Sequence, residues 1–395
     1  MFKKWILLFA LVFLGLTCAI GFFNYKADPF GYWGTRRGEY DKVSTYTKAT
    51  FERHVKVNYI SRNPEKYSAV IFGGSNATAL NPELATELTG NKTYNFSAFN
   101  GNSTDYLQLV EFCIETMPNL KEIIIQLSNQ EVNTVEKVVG NKLPAYITGG
   151  SEFLEMFSFI FIKPLESYSL LMKRLAQKTQ TLSTKLFVPS ENQHPLFDRG
   201  YTEDGKLEVF YENLSDDERI ELIFYDKEAE FIPALKILFT EDERNFRDGN
   251  LCIENVKKIK SLCDKSGIKL TLFIGAAFIS KKMYLEGEQY YSWLRSLAKV
   301  TDFYDFSGFY DANLNPFNFY NAMHYDYETA DEILKIVLGG KQNPAFGEHL
   351  SAQNIDQAIS RRRTAFEALK AEYEMTGTVH LFDKAHESYF RREGK

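Results

Sequence analysis

Nucleophilic acyl transfer requires a hydroxyl, an imidazole and amide donors. This chain contains all three kinds of group, far apart in the sequence. Ser75 comes directly after Gly73 and Gly74, Asn129 comes just after a later apolar run, and His324 lies in the loop beyond the last such run. A serine hydroxyl attacks a carbonyl carbon when an imidazole takes its proton and amide N–H groups hold the developing oxyanion. The chain therefore contains the residue types of a serine-nucleophile site.

The stretch Ser68–Asn76 is the strongest local signal. Its apolar residues 69–72 predict a buried parallel strand, and the two glycines predict a tight turn that presents the serine. Asn81 followed by Pro82 predicts the cap and first turn of a helix. Strand, serine turn and helix in this order are typical of nucleophiles in α/β hydrolytic folds. The alternative is a serine that only turns or caps the chain.

Predicted strands and helices alternate over residues 67–130 and again over 246–340. The predicted strands are 68–72, 92–97, 122–127, 269–274 and 300–306. Short-range alternation is typical of βαβ units, so the predicted fold class is α/β with a parallel sheet and helices on both faces. Because the carboxyl ends of parallel strands face one crevice, Ser75, Asn129 and His324 can meet there. Residues 316–325 are predicted to be a polar, aromatic loop before a closing helix.

The amino terminus predicts a membrane anchor. Trp5–Phe23 is nineteen residues without a charge and follows Lys3 and Lys4. At about 1.5 Å per residue this run just spans a bilayer core of about 30 Å, and the lysines favour an amino terminus inside the cell. We therefore assign 1–23 to a transmembrane anchor and 24–66 to a membrane-proximal linker, with the rest outside the cytoplasm. A cleaved signal peptide is the alternative.

Two further segments interrupt or extend the alternating pattern. Residues 131–245 are predicted to be a mostly helical insertion that contains the aromatic run 153–161. This insertion is predicted to form a lid or wall of a substrate site. The alternative is a subdomain that packs on the core and has no contact with a substrate. Residues 341–395 are predicted to be a helical tail, whose apolar stripe over 354–373 packs on a protein partner or on its own domain. Arg361–Arg363 is predicted to be a solvated helix face.

Composition excludes several function classes. The chain has 44% hydrophobic residues, including 33 Phe and 23 Tyr, which indicates a packed globular protein. A net charge of −6 without a long basic block gives no nucleic-acid surface. Its four cysteines and six histidines lack metal-ligand spacing, and Cys113, Cys252 and Cys263 are predicted to be buried free thiols.

The motifs, taken in order, resemble those of the SGNH/GDSL hydrolase superfamily. The resemblance is to its membrane-anchored, extracytoplasmic branch, which includes proteins related to D-alanyl transfer in teichoic acid synthesis and to polysaccharide O-acetylation. The turn at 73–76 is similar to the first motif, with Ser75 as nucleophile, and Gly101 to the second, with its amide in the oxyanion hole. Asn129 resembles the third-motif asparagine, with Asn102 as a competing choice, and His324 resembles the base of the last motif.

This resemblance implies a three-layer, flavodoxin-like domain over 67–130 and 246–340 that requires no cofactor and no metal. It also implies a cell-envelope polysaccharide or teichoic polymer as the substrate. Two glycosylation sequons, at Asn76 and Asn102, fall inside the expected site, where a glycan would block it. These sequons are better explained if the protein is a bacterial exported protein, in which they are not glycosylated.

One position departs from the resemblance. The last motif is usually Asp-x-x-His, and here Asn321 stands at the aspartate position. An asparagine orients an imidazole but cannot stabilise the imidazolium with a full charge, and an acid-to-amide change in a triad costs on the order of 10⁴ in turnover. Asp326, Asp311 and Asp305 are alternative carboxylates. The sequence therefore leaves two functions open: a serine esterase or O-acyltransferase, or a catalytically inactive, membrane-tethered binding protein.

Overall fold

The computed structural model describes residues 2–27, 33, 52–128, 143–161, 199–201, 204–209, 249–278, 286–321, 324–377 and 379. The chain divides into two compact units. The first contains Met1–Asn63, Val139–Glu203 and Leu207–Phe210, and the second contains Pro64–Val138, Asp204–Lys206 and Tyr211–Lys395. Residues of the predicted insertion are thus divided between the two units.

The helices and strands are numbered in chain order over the described residues. The helices are α1 Phe2–Ala27, α2 Glu52–Arg62, α3 Pro82–Thr89, α4 Ser103–Thr116, α5 Ala145–Thr148, α6 Glu152–Ile160, α7 Asn250–Ser266, α8 Glu288–Val300, α9 Asp311–Leu314, α10 Tyr327–Val337 and α11 Ile355–Thr376. The strands are β1 Ala69–Phe72, β2 Thr93–Asn95, β3 Glu122–Leu127, β4 Arg199–Tyr201, β5 Leu207–Val209, β6 Lys269–Ile274, β7 Phe303–Asp305, β8 Phe319–Asn321, β9 His324–Tyr325 and β10 Glu348–Leu350. Short 3₁₀ turns cover Ser75–Ala79 and Pro316–Asn318.

The second unit is built on a mostly parallel sheet. Among the described strands its order is β10-β7-β6-β3-β1-β2, and all neighbours pair in parallel except β10, which pairs antiparallel with β7. The chain runs from β1 outward to β2 and then returns past β1 to β3. The carboxyl ends of β1 and β3 therefore flank a topological switch point, where open α/β sheets bind ligands.

Helices pack around this sheet in two groups. The connections through α3 and α4 cross the sheet in opposite directions, and the right-handed rule then places these two helices on opposite faces. In agreement with this, α3 packs on α10, whereas α4 packs on α7 and α7 packs on α8. The predicted α/β class with a parallel sheet is confirmed.

Of the two predicted helix caps, one is confirmed and one was wrong. The side chain of Asn81 accepts a hydrogen bond from Glu83 N at 3.0 Å, so it caps α3 as predicted. The predicted cap of α4 at Ser103–Asp105 was wrong by one residue. Asn102 supplies the cap by accepting from the backbone N–H of Thr104 and Asp105. An asparagine with extended backbone just before the first turn is a better cap than the serine inside it.

The tail helix α11 packs on its own unit. Its apolar stripe is in contact with the core of the second unit, through Ile355, Ile359 and Phe366, all buried. The prediction of a solvated face over Arg361–Arg363 was wrong for Arg362, which is buried and forms ion pairs with Glu286 and Asp305. A protein partner for this helix stays a prediction.

The segment 316–325, predicted to be a loop, contains regular structure. It forms the 3₁₀ turn at Pro316–Asn318 and then the antiparallel pair of β8 and β9. The prediction failed because the segment is rich in Asn and aromatic residues and lacks the alternation of polar and apolar residues that marks a strand.

In the first unit, α1 is the one described helix long and apolar enough to cross a membrane, over Phe2–Lys26. It is longer than the predicted span Trp5–Phe23 at both ends. The same unit contains α2, α5, α6 and the β4–β5 pair.

Candidate active site

Ser75 and His324 lie in direct contact. Nε2 of His324 is 2.8 Å from Oγ of Ser75, although the two residues are 249 positions apart in the chain. Both side chains are partly exposed. For Nε2 to accept the serine proton in a neutral imidazole, Nδ1 must carry the ring hydrogen. The pair has the geometry of a nucleophile and its base.

The backbone after β1 places Ser75 at the switch point. β1 ends at Phe72, Gly73 and Gly74 follow, and Ser75 begins the 3₁₀ turn. A Cβ on Gly73 would lie 2.3 Å from the Ala77 Cβ, so this turn requires glycine at position 73. The Thr78 hydroxyl donates to the Ser75 carbonyl at 2.5 Å and tightens the turn.

A buried asparagine that sequence reasoning missed holds this turn. Nδ2 of Asn95, the last residue of β2, donates to the carbonyls of Ala77 at 2.8 Å and of Leu80 at 2.9 Å. Its Oδ1 accepts from the Ser97 N–H at 3.0 Å. Asn95 therefore couples the end of β2 to the serine turn. A polar residue at the end of a buried strand was the only sequence signal for it.

The hairpin of β8 and β9 is fixed to the sheet beside His324. The hydroxyl of Tyr325 donates to Oε1 of Gln126 in β3 at 2.7 Å, and both side chains are buried. Burial raises the pKa of Tyr325 far above its usual value, so the phenol remains a neutral donor. The next residue, Asp326, caps α10 by accepting from Thr329 N at 2.8 Å. The two residues that directly follow His324 in the chain are thus both anchored.

Gly101 lies against the glycine turn but its amide is engaged. A Cβ at position 101 would lie 2.6 Å from the Gly73 carbonyl oxygen, so only glycine fits. The Gly101 N–H donates to the Ala98 carbonyl at 3.0 Å. Asn100 has a φ of 53°, which is the left-handed conformation that asparagine tolerates best after glycine. The structure therefore places Gly101 at the site, with its N–H donated to Ala98.

The structure describes only some of the side chains at the other predicted amide and acid positions. Asn102, the competing third-motif residue, caps α4 with its side-chain oxygen. Asn129 lies outside the described residues. Asn321 pairs with His324 through the backbone of the hairpin, and its side chain also lies outside the described part of the structure.

Of the alternative carboxylates, Asp305 forms hydrogen bonds with Ser307 and Arg362. Its Oδ1 accepts from the N–H and hydroxyl of Ser307 at 2.9 and 2.6 Å, and its Oδ2 accepts from Arg362 at 3.0 Å. Asp311 is exposed at the start of α9. Asp326 is buried as the cap of α10. A carboxylate partner for the His324 ring stays a prediction.

Within the described residues, no group of three or more His, Cys, Asp or Glu side chains could hold a metal ion. Comparisons with protein-family models, curated proteins and solved structures found no match to this chain. The chemistry of the site is therefore argued from its geometry.

Proposed function

We propose that the protein is a membrane-anchored serine esterase or O-acyltransferase, with Ser75 as nucleophile and His324 as general base and acid. The observation that carries this proposal is the 2.8 Å distance between Nε2 of His324 and Oγ of Ser75. Two further facts support it: the serine follows β1 at the switch point of the sheet, and the turn that presents it is held by Asn95.

The finer fold assignment belongs to the same proposal. In chain order, the first five strands of the sheet, β1, β2, β3, β6 and β7, have the spatial order 2-1-3-4-5. This is a common doubly wound order. Together with the serine after the first strand and the histidine after the last parallel one, it supports a three-layer SGNH-type domain.

In the proposed reaction, the Ser75 oxygen attacks the carbonyl carbon of an ester while Nε2 of His324 takes the hydroxyl proton. The tetrahedral intermediate collapses by breaking the bond to the leaving alcohol, which receives the proton from His324. An acyl ester on Ser75 remains. Water or a polymer hydroxyl then gives its proton to His324 and attacks the acyl carbon. The bond between that carbon and Oγ of Ser75 breaks, His324 returns the proton to Oγ, and the product is an acid or a new ester.

The oxyanion donors proposed are the Ser75 and Gly101 amides and the Asn129 side chain. Because the Gly101 N–H already donates to Ala98 at 3.0 Å, its contribution requires sharing between that carbonyl and the oxyanion. Each well-placed donor in such a site is worth about 10²–10³ in turnover.

The proposed substrate class is an acyl ester on a cell-envelope polysaccharide or teichoic polymer. The resemblance of the motifs supports the class, and the apolar helix α1 supports a protein held at the membrane. Lys3 and Lys4 at the amino-terminal end of this helix favour an orientation with the second unit outside the cytoplasm. The reaction as written uses no cofactor.

A second candidate is a binding protein that keeps the fold without turnover. It is favoured by Asn321 at the usual aspartate position and by Asp305, both of whose oxygens are engaged by Ser307 and Arg362. In that case the crevice at Ser75 would hold a glycan or polymer ester without cleaving it.

Labelling of the full-length protein in detergent with a fluorophosphonate probe separates the two. We expect stoichiometric labelling of the wild type, none of Ser75→Ala, and a rate lower by about 10²–10⁴ for His324→Ala, since this is the usual share of a general base. Ser296→Ala and His349→Gln are matched controls because both residues lie in the same unit away from the pair, with Ser296 partly exposed and His349 exposed.

Labelling that survives in Ser75→Ala, or a folded wild type that is not labelled, would contradict the esterase proposal and favour the binding protein. Asn321→Asp adds a second readout. If the asparagine limits the stabilisation of the imidazolium, the aspartate variant is labelled faster than the wild type.

A further inference from the structure

The short helix α6, together with Phe161 directly after it, presents an apolar face to its surroundings. Phe153, Leu154, Phe157 and Phe161 have exposed fractions of 65%, 68%, 51% and 37%. At 3.6 residues per turn, these four positions fall within an arc of about 100°. The rings of Phe157 and Phe161 lie 4.5 Å apart, so the face is continuous. Exposed apolar clusters of this kind mark contact surfaces.

The opposite side of α6 is fixed within the first unit. Oε1 of Glu155 contacts Nε2 of His54 in α2 at 2.8 Å and accepts from Ala145 N at 2.9 Å. Phe159 is buried, with its ring 5.4 Å from the His54 ring. The exposed face of α6 is therefore held in one orientation rather than left to turn inward.

The end of α6 packs on the last turns of the apolar helix α1. A Cβ on Gly21 would lie 2.9 Å from Cγ2 of Ile160, so glycine permits the close approach of the two helices. Nδ2 of Asn24 donates to the Ile160 carbonyl at 2.8 Å. Gly21 and Asn24 are buried, whereas residues 2–20 of α1 are almost all exposed. Helix α6 thus meets α1 at the point where α1 enters the folded unit.

The length of α1 places this contact at a membrane surface. The uncharged run Trp5–Phe23 measures about 28 Å along a helix at 1.5 Å per residue, close to the bilayer core of about 30 Å, and Gly21 and Asn24 lie at its far end. Residues typical of the interface follow directly: Tyr25 packs against Trp33, with ring centroids 5.5 Å apart, and the Lys26 ammonium lies 5.8 Å from the Phe22 ring. If α1 spans the bilayer, α6 lies at the depth of the headgroups.

We propose that α6 is an interfacial helix that inserts its Phe153, Leu154, Phe157 and Phe161 face into the same leaflet that α1 leaves. The proposed partner is the lipid bilayer, because α6 packs at its end on α1, the one described helix long and apolar enough to cross a membrane. Helix α6 contains two glutamates and no Lys or Arg, so insertion depends on apolar burial and not on anionic lipids.

Site-directed spin labelling of the full chain in phosphatidylcholine vesicles tests this proposal. Cys18→Ser provides the background, since Cys113, Cys252 and Cys263 are buried and burial raises the pKa of the Cys263 thiol to about 11. Labels are placed at Phe157→Cys on the exposed face and at Glu152→Cys as the matched control on the same helix. Leu11→Cys reports whether α1 spans the bilayer.

We expect the label at position 157 to collide readily with oxygen and several-fold less often with a water-soluble nickel reagent than the label at 152. Adding phosphatidylglycerol should leave the difference unchanged. A label at 157 as accessible to nickel as the one at 152, while Leu11→Cys reports lipid, overturns the proposal. Spin–spin coupling between labels at 157 would also overturn it, because the face would then be covered by a second copy.

Discussion

At the scale of single residues, the reactivity of Ser75 depends on side chains that do not themselves react. Asn95 is fully buried and satisfies the carbonyls of Ala77 and Leu80, which lie within and just after the serine turn. Its role is positioning, because it contacts the backbone of the turn and not the reacting groups.

Asn95→Ala should therefore lower both stability and labelling. Two buried carbonyls lose their donor, and each unsatisfied group costs about 1–3 kcal/mol. We expect urea unfolding to show a loss in this range or above it, and the rate of fluorophosphonate labelling to fall in the fraction that stays folded. Asn119→Ala is the control, since that amide is exposed and donates to the Glu65 carbonyl. Unchanged labelling at reduced stability would assign Asn95 a purely structural role.

Tyr325 positions the imidazole through Gln126. Tyr325→Phe keeps the buried ring and removes the 2.7 Å hydrogen bond, which leaves the Gln126 carbonyl oxygen without this donor. We expect a stability loss of about 1–3 kcal/mol and a lower labelling rate. Tyr310→Phe, which removes a bond to Glu348 elsewhere in the unit, should leave the labelling rate unchanged. Equal rates for wild type and Tyr325→Phe would argue against the positioning role.

At the scale of elements, the helix that follows His324 carries an ion pair, between Glu332 and Lys341, near its middle. Partial burial raises the pKa of Glu332 in α10, but hydrogen bonds from Lys341 and Asn343 and the charges of Lys341 and Lys335 outweigh it, so the net pKa is lowered. A lowered carboxyl pKa stabilises the fold above the unfolded pKa of about 4.3, and this contribution is lost as the pH falls through the folded value.

Glu332→Gln should thus be less stable than the wild type at neutral pH, by up to about 1 kcal/mol because Lys341 is half exposed. The difference should vanish in acid, where the wild-type carboxyl is protonated. Thermal unfolding at several pH values measures it. A difference that persists at low pH would mean that the loss comes from packing and not from charge.

The elements of the sheet were predictable to different degrees. β1, β3 and β6 are buried apolar runs bounded by turn residues, and the structure has them close to the predicted bounds. β10 was not predicted, because a strand of three residues that contains Glu348 and His349 carries no apolar pattern. The hairpin at His324 was missed for the same reason.

The candidate site was predictable only where chemistry marks the residue itself. Ser75 follows two glycines and His324 stands in a polar loop, so both could be singled out, and the structure brings them into contact. Asn95 and Tyr325 could not be singled out, since what distinguishes them is a partner that is close only in the folded chain.

At the scale of the whole second unit, Arg362 ties the carboxyl-terminal helix to the sheet. Its guanidinium donates to Glu286, Asp305 and Ser307, and it lies 4.9 Å from the Tyr290 ring. Its burial was unpredictable because these acids lie 76 and 57 positions away in the sequence.

Arg362→Ala should destabilise this unit by about 3–5 kcal/mol, since two buried carboxylates lose their counter-charge. Arg361→Ala and Arg363→Ala, whose side chains are about half exposed, should cost about 1 kcal/mol or less. Urea unfolding compares the three. Similar losses for all three variants would mean that the buried cluster does not hold α11 in place.

The most direct test of the central claim is to trap the acyl-enzyme. The full-length protein is mixed with p-nitrophenyl acetate, quenched in acid and digested, and the peptide that contains Ser75 is analysed by mass spectrometry. We predict an acetyl group on Ser75 in the wild type, which accumulates faster than in His324→Ala and at the same rate in His349→Gln. A folded wild type with no acetyl group on Ser75, or with acetylation equal in His324→Ala, would contradict the proposal that these two residues form an acyl-transfer site.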